Sequence, residues 1–142
     1  MSTLSFTPDI AATEDAHDRA SRVKLMIFDI DGVFTDGSLF FSADGDAMKS
    51  FNSLDGHGVK LLQSTGIPAT ECGYMGDDWP DLAVMRLCGF AAAPANAHAE
   101  VLNRVHFATT RRGGEGAVRE VCDAILRAQD RYDGLLAAAI GT

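Results

Sequence analysis

A three-layer α/β domain built on a mainly parallel sheet is the fold class that this sequence predicts. Short apolar runs alternate with helical segments along the chain, the pattern that stacks helices on both faces of a parallel sheet. Two of those runs empty into clustered aspartates, as strands do where their carboxyl ends line a ligand site. With 142 residues, 46% of them apolar, the chain is long enough for one self-sufficient core.

Residues 1–22 are polar and poorly patterned and predict an N-terminal extension, in which residues 14–22 suit a short helix; residues 23–142 form the expected domain. Residues 23–28 are apolar but for Lys24 and run into Asp29, Asp31 and Gly32, as a buried parallel strand entering a loop would. Residues 37–42 and 47–51 flank Ala43, Asp44, Gly45 and Asp46, and this spacing predicts a projecting β-hairpin. Asp55 caps a helix to Ser64, which Gly66 and Pro68 stop. Residues 72–76 predict a second strand, ending in Asp77 and Asp78, with a helix over 80–87. The alternation continues with a strand at 90–93, a helix at 97–103, a strand at 105–108 and a long amphipathic helix at 116–131, which makes the domain Rossmann-like.

Charge narrows the function classes. A formal net charge of -8 repels phosphodiester backbones and anionic lipid, so neither nucleic acid nor a membrane surface is an expected partner. An acidic protein acting on a phosphorylated small molecule needs a local countercharge, from a bound divalent cation or from lysine and arginine. Cys72, Cys88 and Cys122 are odd in number, far apart and set among apolar residues, which suits reduced core thiols. The acidic opening segment does not read as a secretory signal, and no segment reaches the roughly 20 apolar residues of a membrane span, so a cytoplasmic location is expected.

The chemistry-bearing residues fall in two groups. Asp29 and Asp31, two apart in an extended chain, face the same side. Asp77, Asp78 and Asp81 follow the second strand. Carboxylates crowded at one sheet edge repel one another unless a cation sits between them, and Mg2+ is the natural ion, being hard and oxygen-seeking. One such group alone is more often a set of caps and turns; two groups, each after an apolar strand, point to a site. His57, between glycines, reads as a turn residue, and His98 and His106 lack metal-ligand spacing and read as surface or structural. Trp79 beside Pro80 stiffens the loop after Asp78 or lines a substrate entrance.

Asp29-Ile30-Asp31-Gly32-Val33-Phe34-Thr35-Asp36-Gly37, the hairpin and Gly76-Asp77-Asp78 resemble motifs one and four of the haloacid dehalogenase superfamily. Within it, residues 51–58 and 113–123 are similar to the 3-deoxy-D-manno-octulosonate 8-phosphate phosphatase family, in the correct order from Val23 to Arg131. The resemblance implies a haloacid dehalogenase-like fold and a phosphatase in which Asp29 attacks phosphorus to form an aspartyl-phosphate while Asp31 serves as general acid and base. It implies Mg2+ held by Asp29, the backbone carbonyl of Asp31 and Asp77, with Asp78 and Asp81 ordering metal waters or the loop. It also implies contacts to the sugar phosphate from Asn52, Ser53, Leu54, Asp55, Gly56 and Lys60, though an exposed helix lysine explains Lys60 nearly as well. The hairpin and the apolar tail at residues 135–140 resemble the parts that assemble family members into homotetramers.

The chain departs from that family between Thr70 and Glu71, where on the order of 45 residues, about one and a half βαβ units, are absent. The absent stretch would carry the phosphate-binding Thr or Ser of motif two, an arginine near it, and the lysine of motif three; Thr70 is a weak stand-in for the first. Parallel crossovers are right-handed in about 98% of cases, so a helix feeding directly into the strand at 72–76 tends to set that strand on the wrong side of the first. A rearranged sheet, a left-handed crossover or a segment lost from the parent sequence would each resolve the conflict, the last being the expectation, with impaired activity. Two rivals stand beside the enzyme: a catalytically silent binding or assembly subunit, and a phospho-accepting receiver domain, against which the order Asp29-Ile30-Asp31-Gly32 counts.

Overall fold

The structure is a computed structural model that describes residues 14–30, 32–33, 48–51 and 57–141. Among these, five strands run as β1 Leu25–Asp29, β2 Met48–Phe51, β3 Cys72–Met75, β4 Phe90–Ala93 and β5 Phe107–Ala108. They form one sheet in the order β2-β1-β3-β4-β5. Every pairing is parallel, with Phe28 level with Ser50 on one side and with Met75 on the other. The helices are α1 Glu14–Ser21, α2 His57–Ser64, α3 Leu82–Leu87, α4 Ala99–Leu102, α5 Ala117–Ala128 and α6 Tyr132–Ile140.

Strand periodicity builds the three layers. All five residues of β1 are buried, and alternate side chains enter opposite cores. Met26 and Phe28 join Met75, Phe90 and Ala92 beneath α1 and α5, which contribute Ala16, Ala20, Val121, Cys122 and Ile125. Leu25 and Ile27 join Tyr74, Ala91 and Ala93 on the other face, where α2, α3 and α4 bring Leu62, Val84, Met85 and Val101. The helix expected in the N-terminal segment is therefore packed, since α1 lies against α5.

The second arm of the expected hairpin supplies β2, Met48–Phe51, as a parallel strand of the main sheet; the first arm, residues 37–42, and with it the pairing of the hairpin lie outside the described residues. The physical reason is that β1, buried on both faces, needs hydrogen-bond partners on both edges, and β2 satisfies the edge away from β3. The crossover conflict takes a different form for the same reason. The chain enters α2 from β2 rather than from β1, and it reaches β3 on the far side of β1.

The helix expected over 116–131 is shorter because its end is capped. The Asp130 N–H donates to the Arg127 carbonyl at 3.1 Å, the Arg131 N–H donates to the Leu126 carbonyl at 2.9 Å, and Asp130 takes a left-handed φ of 56°. That is a Schellman arrangement, with Asp where glycine is commonest. Beyond it the apolar tail is helical, as α6, with Leu135, Leu136 and Ile140 exposed. Among the described residues no helix is long and apolar enough to cross a membrane.

Close backbone packing at Gly89 sets a first expected outcome. A Cβ there would run into the backbone of Thr70, whereas one on Gly134, inside α6, meets nothing within 4 Å. Denaturant titration should find Gly89→Ala less stable by about 1–3 kcal/mol and Gly134→Ala more stable by about 0.5–1 kcal/mol.

The thiols set a second. Burial pushes Cys88 and Cys122 up from 9.0 to about 12. Both should resist a thiol reagent in the folded protein near neutral pH and react on unfolding. Because the folded value is the raised one, their contribution to stability is intact below about pH 9, where an unfolded thiol stays protonated, and is lost as pH climbs toward 12. Unfolding midpoints measured across that window should fall, and fall less in a Cys88→Ala, Cys122→Ala variant.

Candidate active site

The carboxyl ends of β1 and β3 lie side by side, which carries Asp29 and Asp77 to one rim. Asp29 is the last residue of β1 and is buried; one of its oxygens, Oδ1, accepts the N–H of Ile30 at 2.8 Å. Asp77 follows Gly76 and is half-buried. Ligand-type oxygens of Asp29, Asp77 and Asp81 lie within 4.8 Å of one another. Charge at that spacing is strongly self-repelling in a partly buried site.

Asp81 is fully buried and acts as a clamp. Its Oδ2 accepts the N–H groups of Asp77 at 2.9 Å and Asp78 at 3.1 Å, and its Oδ1 accepts the Tyr74 hydroxyl. Three donors thus occupy most of a carboxylate's acceptor capacity, so Asp81 fixes the loop that presents Asp77. Asp78 is exposed; its side chain accepts the Trp79 N–H at 2.8 Å and caps the short 3-10 helix Trp79–Asp81. Glycine is required beside both acids. Gly32 has a φ of 80°, and a Cβ on it would collide with the Asp77 carboxylate; a Cβ on Gly76 would collide with that of Asp81.

Two further loops close on the rim. The backbone N–H of His98 donates to the Asp77 carbonyl at 2.8 Å, and its Nδ1 accepts the N–H of Glu100 at 3.0 Å, capping α4. His106 is buried, with Nδ1 accepting the Ala91 N–H at 2.9 Å. Asn96 accepts the Gly113 N–H through Oδ1 at 2.8 Å, and Gly113 packs so closely on the Gly32 carbonyl that no Cβ fits between them. Asn96 escaped the sequence reading, although its place just after β4, at the same edge as Asp77, was a signal that could have found it.

Of the expected site residues, the structure gathers Asp29, Asp77 and Asp81 and sets Asp78 on the loop between the last two. Lys60 is exposed on α2. Asp31 and Asn52, Ser53, Leu54, Asp55 and Gly56 lie outside the described residues.

The chain is 30% identical over 172 residues to the 3-deoxy-D-manno-octulosonate 8-phosphate phosphatase KdsC of Yersinia pestis, covering 89% of this chain and 92% of that one. That alignment is longer than the chain itself, so the relative carries residues with no counterpart here. Among solved structures, a probable YrbI family phosphatase of Pseudomonas syringae superposes with a TM-score of 0.70 at 31% identity, over 92% of this chain and 99% of the other. The 3-deoxy-D-manno-octulosonate 8-phosphate phosphatase of Moraxella catarrhalis, solved with magnesium, phosphate and the KDO sugar, shares the fold at a TM-score of 0.72 and 24% identity, over 89% and 98%. No protein-family model matches the chain.

The clamp generates an expected outcome. Asp81→Ala leaves the Tyr74 hydroxyl and two backbone N–H groups without their acceptor, and should cost on the order of 3 kcal/mol in chemical unfolding. Tyr74→Phe removes one donor only and should cost about 1 kcal/mol.

Proposed function

Because the chain belongs to the 3-deoxy-D-manno-octulosonate 8-phosphate phosphatase family, we propose that it is a magnesium-dependent phosphomonoesterase acting on an eight-carbon 3-deoxy sugar acid 8-phosphate. The observation that carries this reading is the convergence of Asp29 and Asp77, from separate strands, within one cluster of carboxylates. The donor set fits magnesium, since it consists of hard oxygens crowded closely enough to need a cation between them. Asp29, Asp77 and the Asp31 carbonyl would hold it. When bound, the ion offsets charge on the phosphoryl oxygens and on the departing alkoxide.

The remaining chemistry belongs to the chain. A carboxylate oxygen of Asp29 attacks phosphorus, and the bond from phosphorus to the sugar oxygen breaks as the aspartyl-phosphate forms. Asp31 gives its proton to the departing oxygen, then takes one from the water that attacks the aspartyl-phosphate, releasing inorganic phosphate and restoring the Asp29 carboxylate. Burial of Asp29 at the strand end holds the nucleophile in a single orientation. Asp81 and Asp78 keep the Asp77 loop in place. Asn52, Ser53, Leu54, Asp55, Gly56 and Lys60 contact the sugar phosphate in this reading, and the exposed Leu135, Leu136 and Ile140 of α6 support assembly as a homotetramer. Three buried free thiols suit a cytoplasmic setting.

Turnover in this chain is reduced. The nucleophile and metal acids are present, but the stretch expected to carry the cationic clamp on phosphate is not, and the greater length of the alignment with the Yersinia pestis relative supports that loss. Phosphate release from the purified 142-residue chain should require magnesium, should run about 10²–10³-fold slower than in that relative, and should drop a further thousandfold or so in Asp29→Asn. No release at any magnesium concentration would favour a silent binding or assembly subunit instead.

A further inference from the structure

We infer that Trp79 is the platform on which the sugar part of the substrate stacks, so that it sets selectivity for a polyhydroxylated leaving group; this rests on the proposed function above. Trp79 is the chain's sole tryptophan and is 62% exposed. A single exposed apolar side chain is ordinary, but this one is held at both ends. Its backbone N–H is bonded to Asp78, and its indole N–H donates to His98 Nδ1 at 3.3 Å, with the two rings edge-on at a centroid distance of 5.7 Å and 78° between planes. Nδ1 of His98 also accepts the Glu100 N–H, and the backbone of the same residue is bonded to Asp77, so the imidazole is itself fixed.

An indole so tethered stands two residues beyond Asp77 with much of its surface in solvent. Its polar atom is turned toward His98, where it shares the Nδ1 lone pair with the Glu100 N–H, so what the ring offers outward is aromatic surface, suited to the C–H side of a sugar ring rather than to phosphate. Ile30, directly after Asp29 and 40% exposed, adds a second apolar element to the loop at that rim. The acids would thus bind the phosphoryl end while aromatic and aliphatic surface takes the carbon skeleton. Because Trp79 touches substrate but not the reacting atoms, it acts through affinity for the leaving group and not through the phosphoryl step.

The lone tryptophan makes the test direct. The full chain, with magnesium, is titrated with 3-deoxy-D-manno-octulosonate and separately with inorganic phosphate, and binding is read by calorimetry and by tryptophan emission. The sugar acid should change the emission saturably and phosphate should not. Trp79→Phe should keep sugar affinity within about twofold, while Trp79→Ala should weaken it about tenfold and leave phosphate binding unchanged. Sugar binding with unaltered emission, and with Trp79→Ala equal to the unsubstituted chain, would overturn the inference and leave the proposed function standing. Absence of any sugar binding by the unsubstituted chain would overturn both. An emission change that follows protein dilution instead of sugar concentration would place Trp79 in a contact between chains and reject the platform.

Discussion

Mutual repulsion among Asp29, Asp77 and Asp81, whose oxygens share a space 4.8 Å across, is the constraint around which the rest of this molecule is arranged. Left to themselves, three carboxylates at that distance would move apart. They stay together because β1 and β3 are hydrogen-bonded neighbours running in the same direction, so both release their chain at the same edge. The buried Asp81 is held by three donors, two of them backbone N–H groups of the very loop that carries Asp77. Glycine at 32 and 76 then leaves the space that the acids occupy. Each of these features brings negative charge inward, and together they make a cation the natural complement of the site.

The rim behaves as an interlocked set of loops. The loop after β4 reaches back through Asn96 to Gly113, Gly113 rests on the Gly32 carbonyl of the loop after β1, and His98 binds the backbone of Asp77 after β3. Four strand ends, those of β1, β3, β4 and β5, are thereby tied to one another. The grouping of Asp29, Asp77 and Asp81 is thus held by contacts within the described residues themselves.

The sheet also closes both edges of β1. A central parallel strand with an unpaired edge would leave buried N–H and C=O groups without partners, at a cost of about 1–3 kcal/mol for each. Residues 48–51 cover that edge of β1 and send the chain into α2 from the far side, so β3 is reached without displacing β1 from the middle of the sheet. One four-residue strand thus settles both the hydrogen bonding of β1 and the strand order around it.

Much of this was legible in the chain. The strand at 90–93 stands where the sequence placed it, and β1 and β3 fall within a residue or two of expectation, because continuous apolar runs bounded by glycine and acids are a local signal. Asp29 and Asp77 were legible as partners because each follows such a run. The reach of Asn96 and the tether between Trp79 and His98 were not, since each depends on where a loop from another strand arrives; Asp81, whose partners Tyr74, Asp77 and Asp78 are its near neighbours in the chain, orders the loop as one of the two expectations for it had it. The second arm of the expected hairpin entered the main sheet because pairing is decided by which edge is vacant, and α5 ended early because a left-handed Asp130 closed it. By itself the sequence determined the layers, the buried strands and the identity of the acids, all properties of residue type and period. Only the tertiary structure decided which strands became neighbours and which oxygens met, because those outcomes depend on hydrogen bonds and packing between segments far apart in the chain.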